Sequence, residues 1–481
     1  ILGVIFLVTV IITFISMKFE QIMPSATTMA DATLPTVAMD TEAGTQYNVL
    51  HGYTSELDST LFYGNITPVA KDRKLTVTIN TYGEDIEGVA YKIRSLEDKS
   101  LIENTEVSDY DNAGSSINVT FNIKNLLDTG KEYALEIVLK TKKHEAVYYY
   151  TRIVYGVDYD LQKKLDFVMD FNACTFDDSR LKDIAGYLET SSSGDNTNYG
   201  KVNINCSLSQ VGWGDLDPYV ESDIMPEVIS VDDDVAILRL SYRVGAANDY
   251  SSSDTYTVSE YYRIRQTNSG FYLLNFEREM NQVFDARNDL TSTAKINLGI
   301  NSSTDVNCAS DEKGIYTYFV NQGSLWCFNS SSQTFTRVFS FKGEETDSVR
   351  EGYDAHNIKI MKIEDNGDAT FLVSGYMNRG EHEGQVGVSL CRYSYSDNDV
   401  TERLFILTQN VGGVSYVSND KFYILIDETL YSVDLVSKEV MTEITGLKEN
   451  SYAVSDAGDA IAYSVSGDIC NTDTIRALNM S

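Results

Sequence analysis

Four histidines, at 51, 144, 356 and 382, are all the imidazole this 481-residue chain has for acid–base or metal chemistry. His382 lies in the run Tyr376-Met377-Asn378-Arg379-Gly380-Glu381-His382-Glu383-Gly384, where a guanidinium, an imidazole and two carboxylates sit beside an aromatic ring. Such a mixture suits polar contacts to a ligand, and binding groups concentrate on loops held by a rigid scaffold. Tyr376, Arg379, Glu381, His382 and Glu383 are therefore candidate ligand-binding residues. A second acidic and aromatic loop, 245–254, carries Asp249 and Tyr250; both loops on one rim would make a single binding face. Trp213 is followed closely by Asp215 and Asp217. An exposed indole in that company stacks on a sugar ring, whereas a buried one plugs a domain junction.

Catalytic spacings are missing. The sequence has no H-E-x-x-H, no G-x-S-x-G and no glycine-rich phosphate loop, so zinc peptidase, α/β-hydrolase and nucleotide chemistry lack their required residues. The acidic run Asp232-Asp233-Asp234 raises calcium, but nothing satisfies the D-x-[DN]-x-[DN]-G-x5-E spacing, and a turn before a strand explains it. Six cysteines, at 174, 206, 308, 327, 391 and 470, include no C-x-x-C pair. Most lie in apolar strand patterns, which favours buried thiols over Cys174–Cys206 or Cys308–Cys327 bridges. No cofactor and no metal are expected; enzymatic activity stays open, with the residues leaning against it within this segment.

Thirty-eight basic against 71 acidic side chains give a net charge of −33, which repels nucleic-acid phosphates. Residues 1–17 carry no charge and are dominated by Ile, Val, Leu and Phe; as a helix they would cross most of a bilayer core. Lys18, Phe19 and Glu20 make a poor cleavage region, so 1–18 reads as an uncleaved anchor to the membrane. Residues 19–44, rich in Thr, Ala, Met and Asp, read as a tether.

The elements that must position the candidate residues are strands. Thirty-two Tyr against five Pro suit tyrosine-rich antiparallel sheet. Residues 45–157 predict a sandwich with strands at 59–63, 74–80, 89–95, 117–123, 132–140 and 146–155. Residues 158–224 predict a helical connector, with Leu161, Leu165, Val168 and Met169 at helical spacing and a second helix over 178–188. From about 225 to 481 a short strand recurs, opened by a hydroxyl residue at 259, 324, 389, 429 and 474, intervals of 65, 65, 40 and 45. Four strands per interval is the pitch of a β-propeller blade.

Two resemblances follow. Val454-Ser455-Asp456-Ala457-Gly458-Asp459-Ala460-Ile461-Ala462-Tyr463-Ser464, with Thr474-Ile475-Arg476-Ala477-Leu478-Asn479 after it, resembles the WD-like blades of TolB and of prolyl-oligopeptidase propellers. Looser copies are Asp365-Asn366-Gly367-Asp368-Ala369-Thr370-Phe371 and Ser310-Asp311-Glu312-Lys313-Gly314-Ile315-Tyr316. The resemblance implies an incomplete propeller; physically it is a tight turn whose Gly takes φ > 0 and whose Asp caps backbone amides. Residues 45–157 resemble an immunoglobulin or fibronectin III sandwich without the Cys-Trp-Cys hallmark.

The expected protein is mainly β: an N-terminal transmembrane helix, a sandwich, a helical connector and a C-terminal propeller broken off at Ser481. The expected function is an extracytoplasmic, membrane-anchored binding or scaffolding role toward a polysaccharide, peptide or protein. Two alternatives stand beside it: the propeller portion of a membrane-anchored hydrolase whose catalytic domain lies beyond 481, and an extracellular sensor domain.

Overall fold

The computed structural model describes residues 22–481 except 24, 111–113, 157–158, 248–253, 287–290, 293–294, 299–306, 344–348, 419 and 473. The expected anchor over 1–18 and the pair Asp249 and Tyr250 lie outside the described residues. Among the described residues no helix is long and apolar enough to cross a membrane. The chain is mainly β and divides into two compact units. One holds Asp31–Thr304 with Glu345–Gly352; the other holds the segment ending at Ala30 with Asp305–Glu344 and Tyr353–Ser481.

In the unit built on 31–304, Lys74–Asn80 alternates, turning Leu75, Val77 and Ile79 into the core. It pairs with Ser116–Asn122 on one side and Thr36–Asp40 on the other, and Gln46–His51 completes a four-stranded sheet. The facing sheet runs Ile66–Val69, Val147–Tyr155, Glu132–Thr141, Ile86–Ser95, Leu101–Val107. Two expectations need correction. The tether over 19–44 contains an interior strand, because Val37, Ala38 and Met39 are buried on both faces and so show no polar alternation. Residues 59–63 are not a strand: Ser59–Leu61 is a 3-10 turn, capped by Asp58, whose carboxylate accepts from the Thr60 amide at 3.0 Å.

The helix foreseen from Leu161, Leu165 and Val168 spans Leu161–Thr175, and the second is a 3-10 segment, Leu181–Tyr187. They belong to the same unit as a six-stranded sheet of Lys201–Asn203, Tyr219–Val220, Met225–Val231, Val235–Ala246, Asp254–Thr267 and Gly270–Gln282. The boundary expected near 225 therefore does not separate the units, and the first copy of the recurring strand, at 259, lies within the long strand Asp254–Thr267. Its hairpin partners, Val235–Ala246 and Gly270–Gln282, are 12 and 13 residues long, far beyond the usual five or six.

The other unit is a series of sheets, antiparallel except for the short parallel edge strand Ile22–Met23 on the first. The first holds Cys308–Ser310, Tyr316–Asn321, Ser324–Asn329 and Thr334–Phe339; the second His356–Ile363, Ala369–Tyr376, Val386–Ser394 and Asp399–Leu407. The third holds Val411–Ser418, Lys421–Ile426, Thr429–Asp434 and Val440–Thr445, and the fourth Tyr452–Val454, Ala460–Tyr463 and Arg476–Asn479. Each sheet packs on the next. Phe371 and Val373 join Tyr318, Leu325 and Val338 between the first two; Leu372, their alternate neighbour, meets Phe422 and Ile424 of the third; and Tyr423 and Leu425 meet Ile461 of the fourth. Period-two alternation thus drives both faces of the middle sheets into apolar layers, each large side chain contributing about 1.5–3 kcal/mol. The turns foreseen at 311–314, 364–368 and 455–459 put Gly314, Gly367 and Gly458 at φ +65°, +89° and +73°. The Asp311 carboxylate accepts the Tyr316 amide at 2.7 Å, and that of Asp368 accepts the Tyr395 amide at 2.9 Å.

His356 is buried at the start of the second stacked sheet. Its Nε2 donates to the Gly323 carbonyl at 3.0 Å, its ring stands edge-on to Phe341, and Asp354 lies 3.7 Å from Nδ1. Burial holds the imidazole below its usual range despite these partners. The unfolded chain then takes up a proton that the folded one resists, so stability present above pH about 6.5 declines as pH falls below it. His356→Gln is expected to flatten that acid limb; a denaturation series from pH 7.5 to 5 checks it, and an unchanged slope would remove His356 as its source.

Candidate functional site

Loop 377–385 joins the second and third strands of the second stacked sheet. It is a closed hydrogen-bonded structure: the Met377 amide donates to Gln385 O at 2.9 Å, Gly384 to Met377 O at 2.9 Å, Gln385 to His382 O at 3.0 Å and Glu383 to Gly380 O at 3.2 Å. Gly380 and Gly384 supply the left-handed turns, at φ +84° and +75°.

His382 is fixed from two sides. Its ring stacks on Phe405 at 3.6 Å between centroids and 7° between planes, and Nε2 bonds Glu402 Oε1 at 3.0 Å. The other oxygen of Glu402 accepts from Ser389 Oγ at 2.6 Å, and Ser389 lies 3.2 Å from Cys391 Sγ. Serine and imidazole therefore share one carboxylate instead of bonding each other, so Ser389 and His382 do not form the serine–imidazole pair of a triad. Burial pushes the Cys391 thiol up to about 12, away from thiolate chemistry. A like pair recurs in the third sheet, where Ser432 Oγ donates to Glu443 at 2.6 Å. The recurrence marks Ser–Glu pairing as a fastening between third and fourth strands, onto which His382 is added.

The candidate residues fare differently. Glu381 is exposed and Glu383 half-buried, so two carboxylates flank a clamped imidazole at the surface. Arg379 is half-buried and donates to the Met29 carbonyl at 3.4 Å. Tyr376 is corrected: it is 5% exposed, ending its strand edge-on to Tyr353 at 5.3 Å, and belongs to the core. Trp213 is corrected likewise. It is 1% exposed, donates to Thr175 Oγ1 at 3.3 Å and lies 3.4 Å below the Arg278 guanidinium, so no sugar reaches its face. Glu402 and Phe405 escaped the sequence reading because they are distant in sequence and meet His382 only across a hairpin; a glutamate inside an alternating strand was the available signal.

No trio of His, Cys, Asp or Glu among the described residues is arranged to hold a metal ion. At 232–234 the backbone is taken by Lys164, whose ammonium donates to the carbonyls of Asp232 and Asp233 at 2.6 and 3.0 Å. All six cysteines are free, with 174, 206, 327 and 391 buried and 308 and 470 exposed.

No protein-family model and no curated protein matches the sequence. Two solved structures overlap 47% of the chain at 11% identity, with TM-scores of 0.21 and 0.22. Both are the extracellular domain of BT4673 from B. thetaiotaomicron, described for one as a one component system and for the other as a hybrid two component system. The overlap spans 29% and 31% of those chains, and at such TM-scores assigns this chain neither fold nor function.

Proposed function

We propose that this chain is an extracytoplasmic binding or scaffolding protein, anchored to a membrane through 1–18, whose stacked sheets are part of a propeller presenting loop 377–385 to a polysaccharide, peptide or protein. The observation carrying the reading is the clamp of His382 between Phe405 and Glu402. It holds Glu381 and Glu383 in place before a ligand arrives, which lowers the ordering cost of binding. The shared carboxylate, by contrast, keeps Ser389 and His382 apart from each other. On arrays of polysaccharides and peptides the purified chain is expected to bind saturably, with affinity falling about tenfold in Glu381→Gln/Glu383→Gln. Binding that survives both that variant and His382→Ala overturns the loop as the surface, and no binding to any arrayed ligand overturns the role.

One observation favours the sensor reading. Arg379 of the loop bonds the Met29 carbonyl, and the segment ending at Ala30 follows the apolar run directly, so a ligand at the loop touches the chain leading to the anchor.

A further inference from the structure

We infer that the stacked-sheet unit meets the membrane surface with the rim carrying turn 330–333 and points loop 377–385 away from it. The inference rests on the anchor reading of 1–18 and is carried by the course of 22–30, which is not a free tether.

Ile22 and Met23 pair parallel with Phe335 and Thr336 on the outer edge of the first stacked sheet. The Ala26 amide then donates to Arg337 O at 3.0 Å, Ser25 Oγ to the same carbonyl at 3.3 Å, and Thr27 Oγ1 to Val338 O at 2.6 Å. Ala26 is 2% exposed within the layer between the first and second sheets. At the far end, Met29 O accepts from Arg379, and a Cβ on Gly380 would lie 3.4 Å from Met29 Cβ. The segment is thus a strap with a direction, running from the Thr334 end of its partner strand toward loop 377–385.

The two rims are distinct across both sheets. On the first, Lys313 bonds Asp365 at 2.7 Å, Asn329 bonds Tyr395 OH at 2.8 Å, and Tyr318 OH donates to Gly367 O, joining turns 311–314, 330–333, 364–368 and 395–398. On the second, Thr408 N bonds Val386 O at 3.2 Å and Asn378 bonds Tyr353 O, beside loop 377–385. The five Cα–Cα steps from Met17 to Ile22 reach at most about 18 Å even when extended, and the parallel pairing brings the chain onto the sheet at the first rim. The six residues of Thr334–Phe339 set the second rim about 20 Å further out. A ligand outside the membrane then meets the loop without passing the bilayer.

The test uses the full chain in phosphatidylcholine vesicles with a headgroup-bound energy acceptor. Cys308→Ser and Cys470→Ser remove the exposed thiols, and a donor dye is placed at S332C or Q409C, both exposed. Energy transfer from position 332 is expected to exceed that from 409 about twofold, given the ~20 Å between rims. Equal transfer, or more from 409, in chains that float with the vesicles overturns the orientation. Chains that do not float overturn the anchor reading, and the orientation with it. Ala26→Asp, which places a carboxylate in the layer between the sheets, is expected to erase the difference while flotation persists; a difference that survives in a released strap also overturns the inference.

Discussion

Replacing Arg278 by alanine is expected to destabilise the unit built on 31–304 by about 3–5 kcal/mol, because it strands a buried carboxylate. Arg278 and Glu260 are both 0% exposed. Glu260 Oε2 accepts from Asn172 Nδ2 at 2.8 Å and from Tyr262 OH at 2.7 Å, while Arg278 donates to the carbonyls of Val211 and Gln210 at 2.8 and 3.0 Å. The charges themselves stand 3.9 Å apart, and Trp213 covers the guanidinium. Burial pulls the guanidinium below its usual range and pushes the Tyr242 and Tyr262 hydroxyls well above theirs, as expected where charge is costly. The cluster ties helix Leu161–Thr175, through Asn172, to the six-stranded sheet. Removing one charge leaves the other without compensation, so Arg278→Met/Glu260→Leu is expected to lose much less than Arg278→Ala. Urea denaturation of the three proteins decides it; a single variant no worse than the double would show that the carboxylate finds solvent.

A chain begun at Thr45 is expected to lose the native fold of the same unit, whereas one begun at Asp31 keeps it. Thr36–Asp40 lies between Gln46–His51 and Lys74–Asn80, and its loss breaks two ladders and empties the places of Val37, Ala38 and Met39, all 0% exposed. Large-to-small changes at one such site cost about 2–5 kcal/mol, and three sites with their hydrogen bonds exceed the usual 5–15 kcal/mol margin of a domain. Circular dichroism with limited proteolysis separates the outcomes. A protease-resistant chain beginning at Thr45 would return 19–44 to the role of a linker.

These two expectations sit where the sequence reads poorly. Thr36–Asp40 looks like a linker because it is buried on both faces and carries no alternation. Glu260 and Arg278 look like surface charges of a half-exposed strand, since nothing in the local sequence announces the helix that covers them. Trp213 and Tyr376 failed for the same reason: an aromatic residue beside polar ones suits a binding platform and a satisfied core equally well, and burial alone separates the two. The turns at 311–314, 364–368 and 455–459 were legible because glycine at positive φ and an aspartate accepting backbone amides are properties of a few adjacent residues.

What the sequence determined by itself is local: strand periodicity from 308 to 479, the helix at Leu161–Thr175 and the glycine turns. The tertiary structure decided everything that depends on residues far apart along the chain. It assigned 225–282 to the unit of the sandwich, made 22–30 a strap on a sheet edge, and set His382 on Phe405 and Glu402. Local preferences act over a few residues, whereas burial and pairing are settled only when distant strands meet.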